Sequence, residues 1–308
     1  MSGFLDSVRQ SLSVAKTLAL DPGVQKWMLV YVFFLASFST LFSIMGYVST
    51  SNFYLAIVMR ALIYLSYFAG AIYFSVRLFS EAFGVLGIRT RDYGLGVQTY
   101  LSGIGQNLVA FLLLFNRRMF LTFAFLFILL FGASAYVYLV FHDSLLTIIF
   151  LFLLALAAIP YFFFYVYHST RLGFAQLFYL SGKSFSEALL ESWAMVGGRT
   201  LKTFGTIIAG AAIACLVALP FVLIKLAFTS VVRYWVSNYS TSMSPNLNLF
   251  ISTLSFPFDF FMFFASTAFI LYFVGVFHYT LSQTGRLAAY SKKGKAGKGS
   301  MVRRGRKA

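Results

Sequence analysis

The sequence predicts an all-α polytopic membrane protein, with six transmembrane helices arranged as three hairpins and amphipathic helices at the cytoplasmic membrane surface. Three observations carry this expectation. Of 308 residues, 60% are hydrophobic and 20% aromatic while only 10% are charged, far from the composition of soluble domains. Six runs reach the roughly 20 apolar residues that a bilayer-spanning helix needs. The 24 Lys and Arg outnumber the 8 Asp and Glu, and they crowd into alternate connections between those runs.

Residues 1–26 form an expected interfacial helix. Phe4, Leu5, Val8, Leu12, Ala15 and Ala19 follow helical spacing, with Asp6, Arg9, Ser13 and Lys16 on the other side, the pattern of a helix lying in the membrane surface. The first two spans, about 27–48 and 53–79, are joined by Ser49-Thr50-Ser51-Asn52, short enough for a tight turn. Tyr100, Leu101, Ile104, Leu108, Phe111 and Phe115 then make a second apolar stripe, in which Gly103-Ile104-Gly105 reads as a helix break. Spans at about 119–141 and 144–167 meet at His142-Asp143. Before the fifth span, Ser184-x-x-Glu187 has capping-box spacing, so that a hydroxyl and a carboxylate satisfy first-turn amides. Phe185, Leu189, Trp193 and Val196 follow as a stripe that Gly197-Gly198 ends. Each of these stripes also suits a cytosolic helix packed on other protein. The fifth and sixth spans, about 203–228 and 256–282, are separated by residues 229–255, rich in Ser, Thr and Asn. The membrane domain so defined covers 27–290, and 291–308 form a tail.

Orientation follows from the basic residues, because positively charged loops resist translocation. The N-terminus, the loop from Arg77 to Arg118, the loop from Arg171 to Lys202 and the segment after Arg286 together hold 21 of the 24. Arg60, Lys225 and Arg233 are the remainder. Both termini are therefore expected in the cytoplasm of a cell with the protein in its plasma or inner membrane. The first 26 residues lack the order of charge, apolar run and cleavage site that marks a signal peptide.

An internal repeat is also expected. Residues 67–78 and 161–172 agree at six of twelve positions, and a [Ser/Thr]-x-Arg-Leu element recurs at Ser75, Ser169 and Thr284. Arg118-x-x-x-Thr122-Phe123 and Arg199-x-x-x-Thr203-Phe204 give a weaker echo before odd spans. Arginine at cytoplasmic helix ends and frequent Phe and Tyr would give some of this agreement without repetition.

The stretch Ser184-Phe-Ser-Glu-Ala-Leu-Leu-Glu-Ser-Trp193-Ala-Met-Val-Gly-Gly-Arg199, entering an apolar span, resembles the membrane domains that accompany some glycerophosphoryl diester phosphodiesterases and the related YciC-type six-span proteins. The resemblance runs over about a hundred residues, from the fourth span through the fifth. It implies a six-helix membrane module, and no catalytic residue is carried over because the chain lacks room for the soluble catalytic barrel.

Chemistry has few groups to work with. The 8 acids and 3 histidines do not cluster, and no nucleotide, zinc-protease or nucleophile motif is present. No enzyme activity, cofactor or metal is expected. His168, His278 and Glu81 form the one thinkable metal set, against the plainer role of interface histidines. Cys215 has no partner for a disulfide. Charges inside the membrane are costly and usually face a partner or cavity. Arg60, Lys225 and Asp259 fall in the outer half of their spans and form a candidate intramembrane polar site; the alternative is that the cations snorkel to the interface. Pro160 and Pro220 interrupt spans, as packing kinks or as broken helices lining a site. Gly205 and Ala209 offer a small-residue contact, and Asn238-Tyr239-Ser240 is a glycosylation sequon.

In the tail, Lys292, Lys293, Lys295, Lys298, Arg303, Arg304, Arg306 and Lys307 stand without an acid among Gly, Ser and Ala. Such a segment suits anionic lipid headgroups or ribosomal and other RNA, or simply holds the C-terminus inside. The functional expectation is a non-catalytic membrane protein that binds or moves lipid or another amphiphile. The alternative is an assembly or scaffold factor whose tail docks ribosomes or acidic partners. The oligomeric state is open.

Overall fold

The computed structural model describes residues 2–48, 53–90, 97–112, 117–141, 144–239, 251 and 253–290. The expected turns at 49–52 and 142–143, the basic tail and Ser240 of the sequon lie outside them. The described chain is helical throughout its regular structure: α1 (Ser2–Leu20), α2 (Pro22–Val48), α3 (Phe53–Val85), α4 (Val97–Leu112), α5 (Arg117–Tyr136, continued by a π turn Val137–Phe141), α6 (Ser144–Leu172), α7 (Ala175–Leu180), α8 (Phe185–Val196), α9 (Thr200–Tyr239), α10 (Phe256–Gln283) and α11 (Leu287–Tyr290). Helices satisfy their own backbone, which is what a lipid environment demands.

Among the described residues five stretches are long and apolar enough to cross a membrane: Pro22–Ile44, Ile57–Val85, Leu145–Leu180, Thr200–Val232 and Phe256–Gln283. The third expected span is represented by a shorter apolar stretch, Ala124–Val140. Helix ends depart from expectation at informative places. The first 26 residues divide at Asp21, whose carboxylate accepts from Val24 N at 3.1 Å while its carbonyl accepts from Gln25 N; with Pro22 as the first helical residue this is an N-cap. At the other extreme, α9 runs 40 residues and takes in 229–239, which composition assigned to a link. No Gly or Pro occurs between Phe221 and Tyr239, and the Thr229 hydroxyl bonds back to the carbonyls of Lys225 and Leu226 instead of competing with the helix. Pro160 and Pro220 sit inside continuous helices, so neither breaks its span.

The chain forms two compact units. The larger comprises residues 1–100, 180–182 and 202–308. Within it α2 and α3 are an antiparallel pair held by aromatic side chains: Trp27 meets Tyr73 and Phe74, Phe34 meets Tyr67 and Phe74, and Phe42 meets Tyr64. Gly70 provides the seat for the Phe34 ring. Helix α10 is the centre of the unit, packing closely on α1 and α2. Its buried side includes Leu271, Val274, Phe277 and Leu281, and Phe277 stacks on Phe83 of α3.

Helix α1 packs through its small polar side chains. Ser7, Ser11 and Leu18 are buried while Phe4, Leu5 and Leu12 of the apolar stripe are exposed. The small serines permit a close crossing: at Gly275 of α10 a Cβ would collide with the Ser11 carbonyl oxygen. Ser7 adds a 2.8 Å hydrogen bond with Thr206 of α9.

The smaller unit comprises residues 101–179 and 183–201. Helices α5 and α6 pack along each other, and α8 lies against α6. Gly103-Ile104-Gly105 is continuous helix; Gly105 is a notch for the Phe185 ring. Leu101, Ile104 and Leu108 of α4 are exposed. The capping box forms, Ser184 Oγ accepting from Glu187 N and Glu187 accepting from Ser184 N. Ser192 then docks α8, donating to the Arg171 carbonyl at 2.8 Å and accepting from Phe174 N.

Two tests follow from this packing. Gly275→Val should lower stability by about 1–3 kcal/mol through overpacking, whereas Gly84→Ala in α3, where a Cβ meets nothing, should be neutral or stabilising; thermal unfolding in detergent distinguishes them. The hydrogen bonds from Ser184 hold the Glu187 carboxyl below its ordinary value. Its folded pKa lies under the unfolded one, so its contribution is complete above the usual carboxylate range and disappears as pH falls through the lowered value. Amide protection factors at the start of α8, which are corrected for the intrinsic pH dependence of exchange, should fall on acidification, and Glu187→Gln should flatten that dependence.

Candidate functional site: the cleft between α9 and α10

Asp259 lies in the first turn of α10, following Ser255, Phe256 and Pro257. A carboxylate there is favoured by the free amides and dipole of the helix start. It is only 2% exposed, so its charge needs partners. Lys225 of α9 supplies the cation, with Nζ 2.5 Å from Oδ1, and Ser39 of α2 donates to Oδ2 at 3.2 Å. The expected site thus takes shape as an α9–α10 ion pair completed by α2. Arg60 is not part of it and stands exposed on α3. Equal depth along the spans did not place Arg60 on the same face.

One turn deeper, Phe221 of α9 stacks on Phe261 of α10, with ring centroids 4.7 Å apart. At the opposite end of the two helices a second set of bridges forms. The Tyr272 hydroxyl donates to the Thr206 carbonyl at 2.7 Å, and Lys202 Nζ donates to the Tyr279 hydroxyl at 3.4 Å. Tyr272 can cross the gap because it passes over Gly210, where a Cβ would collide with its ring. This pair therefore differs from α2 and α3: α9 and α10 approach through side chains instead of close backbone packing.

A cavity of about 310 Å³ lies between these bridges. Ile213, Ala214 and Val217 form the α9 wall, and Phe264, Ala268 and Phe269 the α10 wall. Leu12, Ala15, Lys16 and Ala19 of α1 and Met28 of α2 close the rest. Lys16 is the one charged residue on this lining. Neither Pro220 nor Pro160 contributes to it. Gly205, expected to serve a helix contact, faces Phe4 of α1, and the glycine that matters to the cleft is Gly210.

Within the smaller unit, Arg171 forms a separate cluster. Its guanidinium lies 4.0 Å from the Trp193 ring centroid and 5.6 Å from that of Tyr167, while its nitrogens donate to the Trp193 carbonyl and Tyr167 hydroxyl. His168 stacks on Trp193 and meets Phe164 edge-on. In the larger unit, Arg77 lies over Tyr73 with the same four-residue spacing. Arg171 thus ties the end of α6 to aromatic neighbours, whereas Arg77 lies about two turns before the end of α3. Among the described residues no three His, Cys, Asp or Glu side chains are placed to hold a metal ion. The tail lysines and arginines lie outside the described residues. Comparison with protein-family models, curated proteins and solved structures finds no match to this chain.

Removing one member of a buried ion pair costs about 3–5 kcal/mol because the other charge is stranded, whereas replacing both by apolar groups is often neutral. Lys225→Met should accordingly lower stability by about 3 kcal/mol, and Lys225→Met combined with Asp259→Leu should recover most of it. Unfolding in detergent micelles reads both variants.

Proposed function

We propose that this protein is a membrane-embedded binding protein for lipid-like amphiphiles, which occupy the α9–α10 cleft. One observation carries the reading: two membrane-length helices are held apart by polar side chains at both ends, leaving an apolar cavity between them. Its volume of about 310 Å³ falls at the lower end of the ~300–1,000 Å³ typical of small-molecule sites. Its walls offer dispersion contacts and few polar groups, which suits an acyl or comparably apolar chain over a hydrophilic solute.

The larger setting is a six-span protein with both termini in the cytoplasm. The 21 basic residues of the two termini and the alternate connections support that orientation, and Arg77 and Arg171 belong on the cytoplasmic side of their helices. In this frame Lys225 and Asp259 close the outer end of the cleft, and Tyr272 with Thr206 closes the inner end. The role is binding or carriage of the amphiphile.

The test places a photo-crosslinking amino acid at Ala214 and reconstitutes the full chain with lipid of known composition. Ultraviolet light should give a lipid adduct at that position. Ala268→Trp, which fills the cavity from the opposite wall, should reduce the adduct at least tenfold if about 1.4 kcal/mol of binding is removed. An undiminished adduct would show that the label samples surrounding lipid and not the cleft.

A further inference from the structure

The chemistry of the cavity wall selects among amphiphiles. Resting on the lipid-binding reading above, we propose that the cleft takes an anionic phospholipid from the leaflet at the basic end of the spans, with Lys16 receiving its phosphate. Lys16 is exposed yet lines the cavity, so its methylene stem can extend the apolar wall while its ammonium stays at the mouth. No carboxylate is on the lining, and none among the described residues forms an ion pair with Lys16. The other polar group of the wall, the Tyr272 hydroxyl, is committed to the Thr206 carbonyl.

The backbone that carries the cation is held in place by the fold. Ser7 binds Thr206 and the Ser11 backbone abuts Gly275, so the first half of α1 is anchored. Lys16 then follows Leu12 and Ala15 along the cavity side of that helix. A phosphate at the ammonium would leave one acyl chain directed along Ile213, Ala214 and Val217. A zwitterionic lipid would bring its own cation against Lys16 and lose part of this gain.

The experiment uses the Ala214 photo-crosslinker in the full chain, in vesicles containing equal amounts of phosphatidylglycerol and phosphatidylcholine with matched acyl chains. One basic residue near anionic lipid favours phosphatidylglycerol by roughly fivefold, and the adducts, resolved by mass spectrometry, should show that bias. Lys16→Gln should bring the ratio near one while leaving the total adduct comparable, and Lys16→Glu should invert it. Arg77→Gln should leave the ratio unchanged, since Arg77 lies over Tyr73 on α3 and not on the lining. A ratio near one in the unmodified protein, or an equal effect of Lys16→Gln and Arg77→Gln, would overturn the selection by Lys16 while leaving lipid binding intact. Absence of a cleft adduct with either lipid would overturn the binding reading itself. Loss of the phospholipid adduct to an equimolar single-chain fatty acid would overturn the choice of phospholipid as the source of the anion.

Discussion

The close crossing of α1 and α10 at Gly275 sets the terms for the larger unit. Because Ser11 and Gly275 carry little or no side chain, two backbones meet, and α1 takes up a face of α10 that a neighbouring span would otherwise cover. Helix α2 covers another. What remains for α9 is contact at arm's length, through Tyr272, Lys202, Lys225 and the phenylalanine pairs Phe221–Phe261 and Phe228–Phe258. The cavity is the volume left between helices that cannot come closer without displacing α1.

Assembly in lipid makes these bridges matter more than their number implies. The acyl chains of a bilayer solvate an apolar helix as well as another helix does, so burial alone gives α9 little reason to stay beside α10. Directional polar contacts supply part of that reason. Thr206 is used twice, its hydroxyl toward Ser7 and its carbonyl toward Tyr272, which couples the position of α1 to that of α9. Asp259 does the same at the far end, drawing on both α9 and α2. A buried carboxylate with a cation and a hydroxyl beside it also fixes register, since a slip by one residue would turn either partner away.

Much of the helical inventory was legible in composition, because a run of apolar residues long enough to cross a bilayer has few alternative fates. The pairing of Lys225 with Asp259 was legible too, since both are charges within apolar spans at similar distances from one boundary. Arg60 satisfied the same criterion and is elsewhere, because depth fixes one coordinate of a side chain and leaves its direction around the helix undetermined. Ser39 had only a weak signal, as one of a cluster of hydroxyl residues, Ser37, Ser39, Thr40 and Ser43, in the apolar part of α2. Gly210 and Gly275 carried almost none: a glycine in a membrane helix is common, and only the partner's position shows that its missing side chain is required. The packed side of α1 was obscure for a related reason. In lipid the larger apolar residues can face outward, so small serines, and not Leu5 or Leu12, mark the packed side.

The corner between α1 and α2 bears on how such a cleft changes its width. Asp21 alone separates the two helices, and it is already engaged by amides of the helix it starts, so the joint has no slack. Swinging α1 outward would lever the whole of α2, with its aromatic seam against α3 and its serine on Asp259. Helices α1, α2, α3 and α10 are joined by close packing, whereas α9 joins them through individual side chains. If the cleft takes up a chain as proposed, the room comes from α9, which is held by a few side-chain contacts, and not from the closely packed helices opposite it.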